Sequence, residues 1–216
     1  MEPENELPSV LHTERLVLRL ADPSNPADCD KIISTYTDSR SGSGGHGKVA
    51  LNTMADVQRK HELHGPKAQF CTLVPPPRGM YFLIHLRDNE NDEHEPKGPF
   101  IGIAAISFRA EMPYPDLGWA LFGQYQGHGY ATEAGREALR FWHDLVGVKE
   151  ICAVTMEDNV KSQKCAERIG FVKAGTLEIV FGEAPNESWA KGRAMTLPGM
   201  KWQDGLTLRP TIGMED

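Results

Sequence analysis

The stretch with the most chemical content is LGWALFGQYQGHGYATEA, Leu117 to Ala134. An apolar run leads into Gln126-Gly127-His128-Gly129-Tyr130-Ala131, and a helical pattern leaves it with Glu133 in its first turn. The first amides of a helix have no carbonyl partner, the helix dipole puts partial positive charge at that end, and glycines let an anion approach the backbone. Such a turn is a cradle for a phosphate group, and pyrophosphate is its natural guest. His128 stands inside this cradle, where its ring is expected either to approach a phosphate or to sit on the surface. A second glycine cluster, Gly42 to Lys48, has P-loop spacing, but Val49 stands where a magnesium-binding Ser or Thr is needed and the preceding Thr35 to Arg40 is polar. A lid over a substrate site suits it better. Thr132 stands where a dinucleotide fingerprint has its third small residue. His61 and His64 lack the spacing of a zinc-protease helix and have no third ligand, so no metal site is expected.

These groups need elements to hold them. Leu16, Leu18 and Leu20 alternate with Val17 and Arg19, which predicts a first strand over Thr13 to Leu20. Helical spacing then covers Ala27 to Tyr36 and Met54 to Leu63, with the Gly/Ser-rich residues 39–48 between them. PPPRG at 75–79 breaks the chain before two antiparallel strands, Met80 to Leu86 and Phe100 to Phe108, joined by the acidic loop 88–98. A strand over Leu117 to Phe122, a helix from Gly129 to Leu145, a strand over Lys149 to Met156, a helix from Asn159 to Ile169 and a closing strand over Phe171 to Phe181 complete the pattern. The expected class is mixed α/β, with a mostly antiparallel central sheet and flanking helices.

Composition narrows the function. A chain of 216 residues is long enough for one sizeable core. The net charge of −7 disfavours a duplex nucleic-acid partner, which calls for a basic face. Cys29, Cys71, Cys152 and Cys165 are widely spaced with no CxxC pair, and read as reduced thiols in a cytosolic compartment. The acidic, proline-bearing start MEPENELPSV is not a secretory signal, and no apolar run approaches the ~20 residues of a membrane span.

The motifs resemble those of a known family. Gln126, Gly129 and Ala131 match the Q/R-x-x-G-x-G/A signature of the GNAT N-acetyltransferases, and GYATEA is similar to the form in the branch that acetylates ribosomal-protein N-termini and related amines. Asp158-Asn159, Ser162 and Gly170-Phe171 resemble that branch's second segment, and TERLVLR resembles its first strand. The resemblance covers residues 13–198, leaving an N-terminal extension, 1–12, and a C-terminal tail, 199–216. It implies a GNAT-like fold and acetyl transfer from acetyl-CoA to a primary amine, on a peptide N-terminus or a small molecule, without a metal. A catalytically silent acyl-CoA-binding module is the alternative.

Carried over to this chain, the resemblance implies that Gln126, Gly127, His128, Gly129, Tyr130, Ala131 and Thr132 bind the CoA pyrophosphate through backbone amides. Leu121 pairs with the pantetheine arm, Trp119 lies beside the thioester, and Asn159 hydrogen-bonds the pantetheine amides. Asn159 is equally a favoured helix N-cap. Many family members carry an acidic tyrosine seven residues after this Asn; here that residue is Ala166. Ser162 is the expected replacement as general acid. Asp116 is the first choice of base, with Glu111, Glu178 and Glu183 as alternatives. The acidic loop, Asp88 to Glu95, is expected to attract cationic acceptors if it lies at the mouth. Trp202 in the tail is expected to pack on a partner or back on its own domain, and both monomer and homodimer remain open.

Overall fold

Tyr81 and Phe82 show how the layers are arranged. In the computed structural model, which describes residues 7–38, 51–73, 75–88, 96–182, 185 and 187–209, both are buried, although successive side chains of a strand point to opposite faces. Tyr81 has the Lys60 ammonium 5.9 Å from its ring centre, while Phe82 meets Phe141 edge-on at 5.0 Å. Helices therefore cover both faces. Helices α1 (Pro26–Thr37) and α2 (Met54–His64) lie on the Tyr81 face. Helix α3 (Tyr130–Arg140), continued by a π-helical turn over Phe141–Leu145, lies on the Phe82 face, with α4 (Val160–Ile169) alongside it. The starts of α1 and α2 are set locally. Asn25 accepts the Ala27 N–H ahead of Pro26, and Thr53 and Asp56 form a reciprocal capping box.

Among the described residues the sheet has nine strands. They are β1 (Val10–His12), β2 (Leu16–Leu20), β3 (Tyr81–Leu86), β4 (Phe100–Ser107), β5 (Asp116–Leu121), β6 (Cys152–Met156), β7 (Val172–Phe181), β8 (Ser188–Thr196) and β9 (Leu206–Leu208). Their spatial order is β1-β2-β3-β4-β5-β6-β8-β7-β9, with parallel pairing only at β5–β6 and β7–β9. This is the mixed α/β class with a mostly antiparallel sheet that the sequence pattern predicts.

Three boundaries differ from expectation. The strand expected over 13–20 is the second arm of a hairpin. Thr13 closes the turn by donating its N–H to Leu16 O (2.9 Å) and accepting the Leu16 N–H on its hydroxyl (3.0 Å), so β1 folds back on β2. Phe171 to Phe181 does not close the sheet either, because β8 inserts between β6 and β7 and β9 adds an outer edge. Finally, residues assigned to the extension and the tail both enter the sheet, as β1 and β9. The tail is fastened to β7 where Gly175 leaves room for Trp202, whose indole donates to Thr176 O (3.3 Å), while Asp204 accepts the Thr176 N–H (2.8 Å). Trp202 thus packs on its own domain. The glycine-rich residues 42–48, the acidic loop beyond Asp88 and Glu183 lie outside the described residues.

Candidate active site

Strands β5 and β6 run parallel but pair at a single position, Asp116 with Cys152. The Asp116 carboxylate supplies one further tie by accepting the Val154 N–H (2.8 Å). Beyond that point the strands diverge and leave a cleft of about 650 Å3. Its walls come from β5, β6, the start of α3 and the α4 helix.

Alternation along β5 assigns each group a direction. The Phe122 N–H donates to Ile101 O on the β4 side, so the N–H and C=O of Leu121 and of Trp119 face the gap. The Leu121 carbonyl is already engaged there by the Gln126 side-chain amide (3.0 Å). The Trp119 ring lies under α3, close to Gly135. Gly118 and Asp116 then face the α1/α2 side.

At the far end of β5 the chain turns through Gly127 and Gly129, both at φ 84°, a conformation that suits glycine. Gly129 is the N-cap of α3 and offers no side chain to cap it. Among the described residues, no hydrogen bond uses the amides of Tyr130, Ala131 or Thr132, so they remain donors at the cleft wall. A clamp fixes this turn from outside. Glu133 accepts the Thr13 hydroxyl (2.6 Å), the Arg15 N–H (2.9 Å) and Arg15 Nε (2.8 Å), and forms an ion pair with Arg15 Nη2 (2.6 Å). Arg15 in turn donates to His128 O (3.0 Å) and lies over the Tyr130 ring at 4.7 Å. Burial raises the Glu133 carboxyl, but the bonds from Thr13 and Arg15 outweigh it and hold it below its ordinary value.

On α4, Asn159 caps the helix by accepting the Ser162 N–H on Oδ1 (3.1 Å), which leaves its Nδ2 as a donor. Ser162, Lys161, Lys164 and Arg168 line the cleft from this helix, and buried Cys165 touches Thr132 Oγ1 at 3.5 Å. Ala166 is fully buried.

On the α1/α2 face, Asp116 forms an ion pair with Arg109 (3.0 Å), both largely buried. Burial raises the Asp116 carboxyl despite the opposing pull of Arg109 and the Val154 N–H. Lys60 Nζ donates to the Tyr36 hydroxyl (2.6 Å). Among the described residues, the charged groups lining the cleft are Lys60, Arg109, Lys161, Lys164 and Arg168 against the single carboxylate of Asp116, an inversion of the chain's overall −7.

The expected site residues Asp116, Trp119, Leu121, Gln126, Gly127, Gly129, Tyr130, Ala131, Thr132, Asn159 and Ser162 all line this cleft. His128 is the exception. Its exposed ring stacks on Tyr130 (5.7 Å) and does not line the wall, so the surface position is the one adopted. Glu111 and Glu178 are exposed and away from the lining. Sequence reasoning missed the basic face of α4, although Lys161, Lys164 and Arg168 at spacings of three and four mark one side of a helix. It also missed Tyr36, Lys60 and Arg109, which no spacing connects.

The family of acetyltransferase (GNAT) domains matches residues 15–172. An acetyltransferase (GNAT family) from Bacillus anthracis is similar in structure, with TM-score 0.57 at 18% identity, covering 87% of this chain and 97% of that one. A ribosomal-protein-S5-alanine acetyltransferase from Vibrio fischeri gives TM-score 0.56 at 18% identity, over 90% of this chain and 98% of that one. A ribosomal L7/L12 alpha-N-protein acetyltransferase in complex with coenzyme A gives TM-score 0.55 at 18% identity, over 87% and 96%. No curated protein matches the chain.

Proposed function

This chain belongs to the GNAT acetyltransferase family, and on that premise we propose that it transfers an acetyl group from acetyl-CoA to a primary amine by direct attack in a ternary complex. The acceptor class is a peptide or protein N-terminus or a small-molecule amine. The observation that carries the reading is the gap between β5 and β6, with uncapped α3 amides at one end and a largely buried carboxylate at the other.

The residues present fit acetyl-CoA. Three free amides at a helix start and three cations on α4 suit a diphosphate, and the gap-facing backbone of Trp119 and Leu121 suits an arm carrying amides. Acetyl-CoA, when bound, supplies an acyl group on a thioester. The ammonium first gives up one proton to become the neutral amine; its attack forms the N–C bond and breaks the C–S bond, and the nitrogen loses a second proton while the leaving thiolate gains one.

In this reading the amides of residues 127–132 hold the diphosphate, that of Gln126 being turned inward to Gly123 O (3.3 Å), and Asn159 Nδ2 donates to the pantetheine. Ser162 delivers a proton toward sulfur, directly or by orienting water. Asp116 removes the ammonium proton. Each of its oxygens has a second lone pair beyond the one used by Arg109 or Val154, and its raised pKa makes it a better acceptor. The catalytic domain spans 13–198, braced by β1 and β9. Four unpaired, buried cysteines favour a reducing cytoplasm.

The second reading, a silent acyl-CoA-binding module, draws on Ala166 standing where an acid is common. One experiment separates the two. Calorimetric titration with acetyl-CoA, followed by thiol release over a panel of amines, is expected to give binding and amine-dependent release. Binding without release from any amine supports the module, and no heat at millimolar acetyl-CoA sinks both.

A further inference from the structure

Within the acetyltransferase reading, the acceptor side of the cleft has its own charge pattern. Its floor consists of residues whose side chains face away from α3. Strand pairing puts Ala105 opposite Gly118 and Ser107 opposite Asp116. A Cβ built on Gly118 would meet no atom within 4 Å, so the space above the floor is open. Over this space stand Tyr36 and Lys60, with Arg109 beside Asp116.

Two cations are buried here against one carboxylate. Lys60 is 4% exposed and Arg109 7% exposed, and burying a charge is unfavourable unless something compensates it. Asp116 compensates Arg109. Among the described residues, Lys60 has the Tyr36 hydroxyl, the faces of the Tyr36 and Tyr81 rings at 4.5 and 5.9 Å, and the more distant pull of the Asp116 carboxylate that Arg109 already holds. The surplus is felt by its neighbours. Burial and the charges of Arg109, Lys60 and Lys67 push His64 down to about 4, and Lys60 and Arg109 draw the Tyr36 hydroxyl below its usual value against its burial. These cations also lie on the face opposite α3, away from the proposed diphosphate site.

We propose that Lys60, with Tyr36 and Arg109, forms an anion subsite, and that the acceptor is a small amine bearing a carboxylate. The amine nitrogen lies over Gly118 toward Asp116, and the carboxylate sits at Lys60. The charge of Lys60 draws the anion, and the Tyr36 hydroxyl is a second donor to it.

The test compares amino acids with their own amides in the thiol-release assay, with rates expressed per neutral amine so that nucleophile basicity does not bias the ratio. Wild type is expected to prefer the acids at least tenfold in kcat/KM. In Lys60→Met this ratio falls to within about threefold of one, with the acetyl-CoA Kd by calorimetry within twofold of wild type. Gly118→Leu, which fills the open floor at an unstrained position, is expected to raise acceptor KM at least tenfold with a similarly unchanged acetyl-CoA Kd, and it serves if Lys60→Met fails to fold. Acetylation that treats acids and amides alike, or that favours peptides lacking a nearby carboxylate, overturns the subsite and leaves the transferase reading standing. Acetyl-CoA binding without release from any amine brings down the transferase reading and the subsite with it.

Discussion

Glu133 is the point at which the first hairpin grips the anion-binding turn, so Glu133→Ala should damage both stability and ligand binding. The substitution removes the acceptor for the Thr13 hydroxyl, the Arg15 N–H and the Arg15 guanidinium. A hydrogen bond to a charged acceptor contributes about 1.5–3 kcal/mol when shielded. Arg15 is 44% exposed, so its ion pair is worth only about 0.5–1 kcal/mol, and the other two bonds, partly solvated, about 1 kcal/mol each. The total is roughly 3 kcal/mol, which lowers Tm by about 6–12 °C for a domain of this size. Freed from Glu133, Arg15 no longer holds His128 O in place, and acetyl-CoA affinity is expected to fall about tenfold. Denaturant unfolding and calorimetry measure the two effects. The sign of the pH dependence also follows. The Glu133 carboxyl is held below its ordinary value, so its stabilisation is present above the unfolded pKa of about 4.3 and is lost as pH falls through the lower folded value. The gap in stability between wild type and Glu133→Ala should be constant near neutrality and narrow in acid. A variant that unfolds within 1 kcal/mol of wild type and binds acetyl-CoA equally well refutes the reasoning.

Gly129→Ala should weaken acetyl-CoA binding about tenfold, because φ 84° costs a non-glycine residue about 1–2 kcal/mol and the added Cβ would stand 3.3 Å from Arg15 Nη2. The comparison is Gly127→Ala, whose Cβ meets nothing within 4 Å, so calorimetry on the pair separates backbone strain from loss of the Arg15 contact. Ser162→Ala should lower kcat about 10- to 100-fold with little change in the KM for acetyl-CoA, as removal of a proton donor predicts; an unchanged kcat in steady-state thiol release removes Ser162 from the chemistry.

The residues around Gln126 to Thr132 were legible in sequence because local rules govern them: a strand must end, a helix must begin, and glycines mark the turn between. The same holds for Asn159, whose capping role needs only its neighbours. The additional strands were not legible for equally physical reasons. At three residues, β1 and β9 are too short to show a period, and β8 carries Gly192 where Leu177 and Ile179 need the space, so its alternation is faint. The acceptor side was hidden because Tyr36, Lys60 and Arg109 come from α1, α2 and the loop after β4, and meet only through helix packing and the strand pairing that places Ser107 beside Asp116. A buried lysine inside a polar-looking helix such as Met54–His64 gives no linear sign of its environment.

The near-severance of the sheet at Asp116 has a mechanical consequence. The large apolar cluster of β1–β5, α1, α2 and α3 continues across the seam through Ala153 of β6, Ile169 of α4 and Met195 of β8, while Leu177, Ile179, Phe181, Ala194 and Leu208 belong to a smaller cluster. That shared core holds the two sides together and leaves slack only where β5 and β6 splay, so a guest threaded along the seam acts as a keystone. Loading and discharge then become changes in stiffness, which amide exchange at Trp119 and Leu121 would register as slow protons when occupied and fast ones when empty.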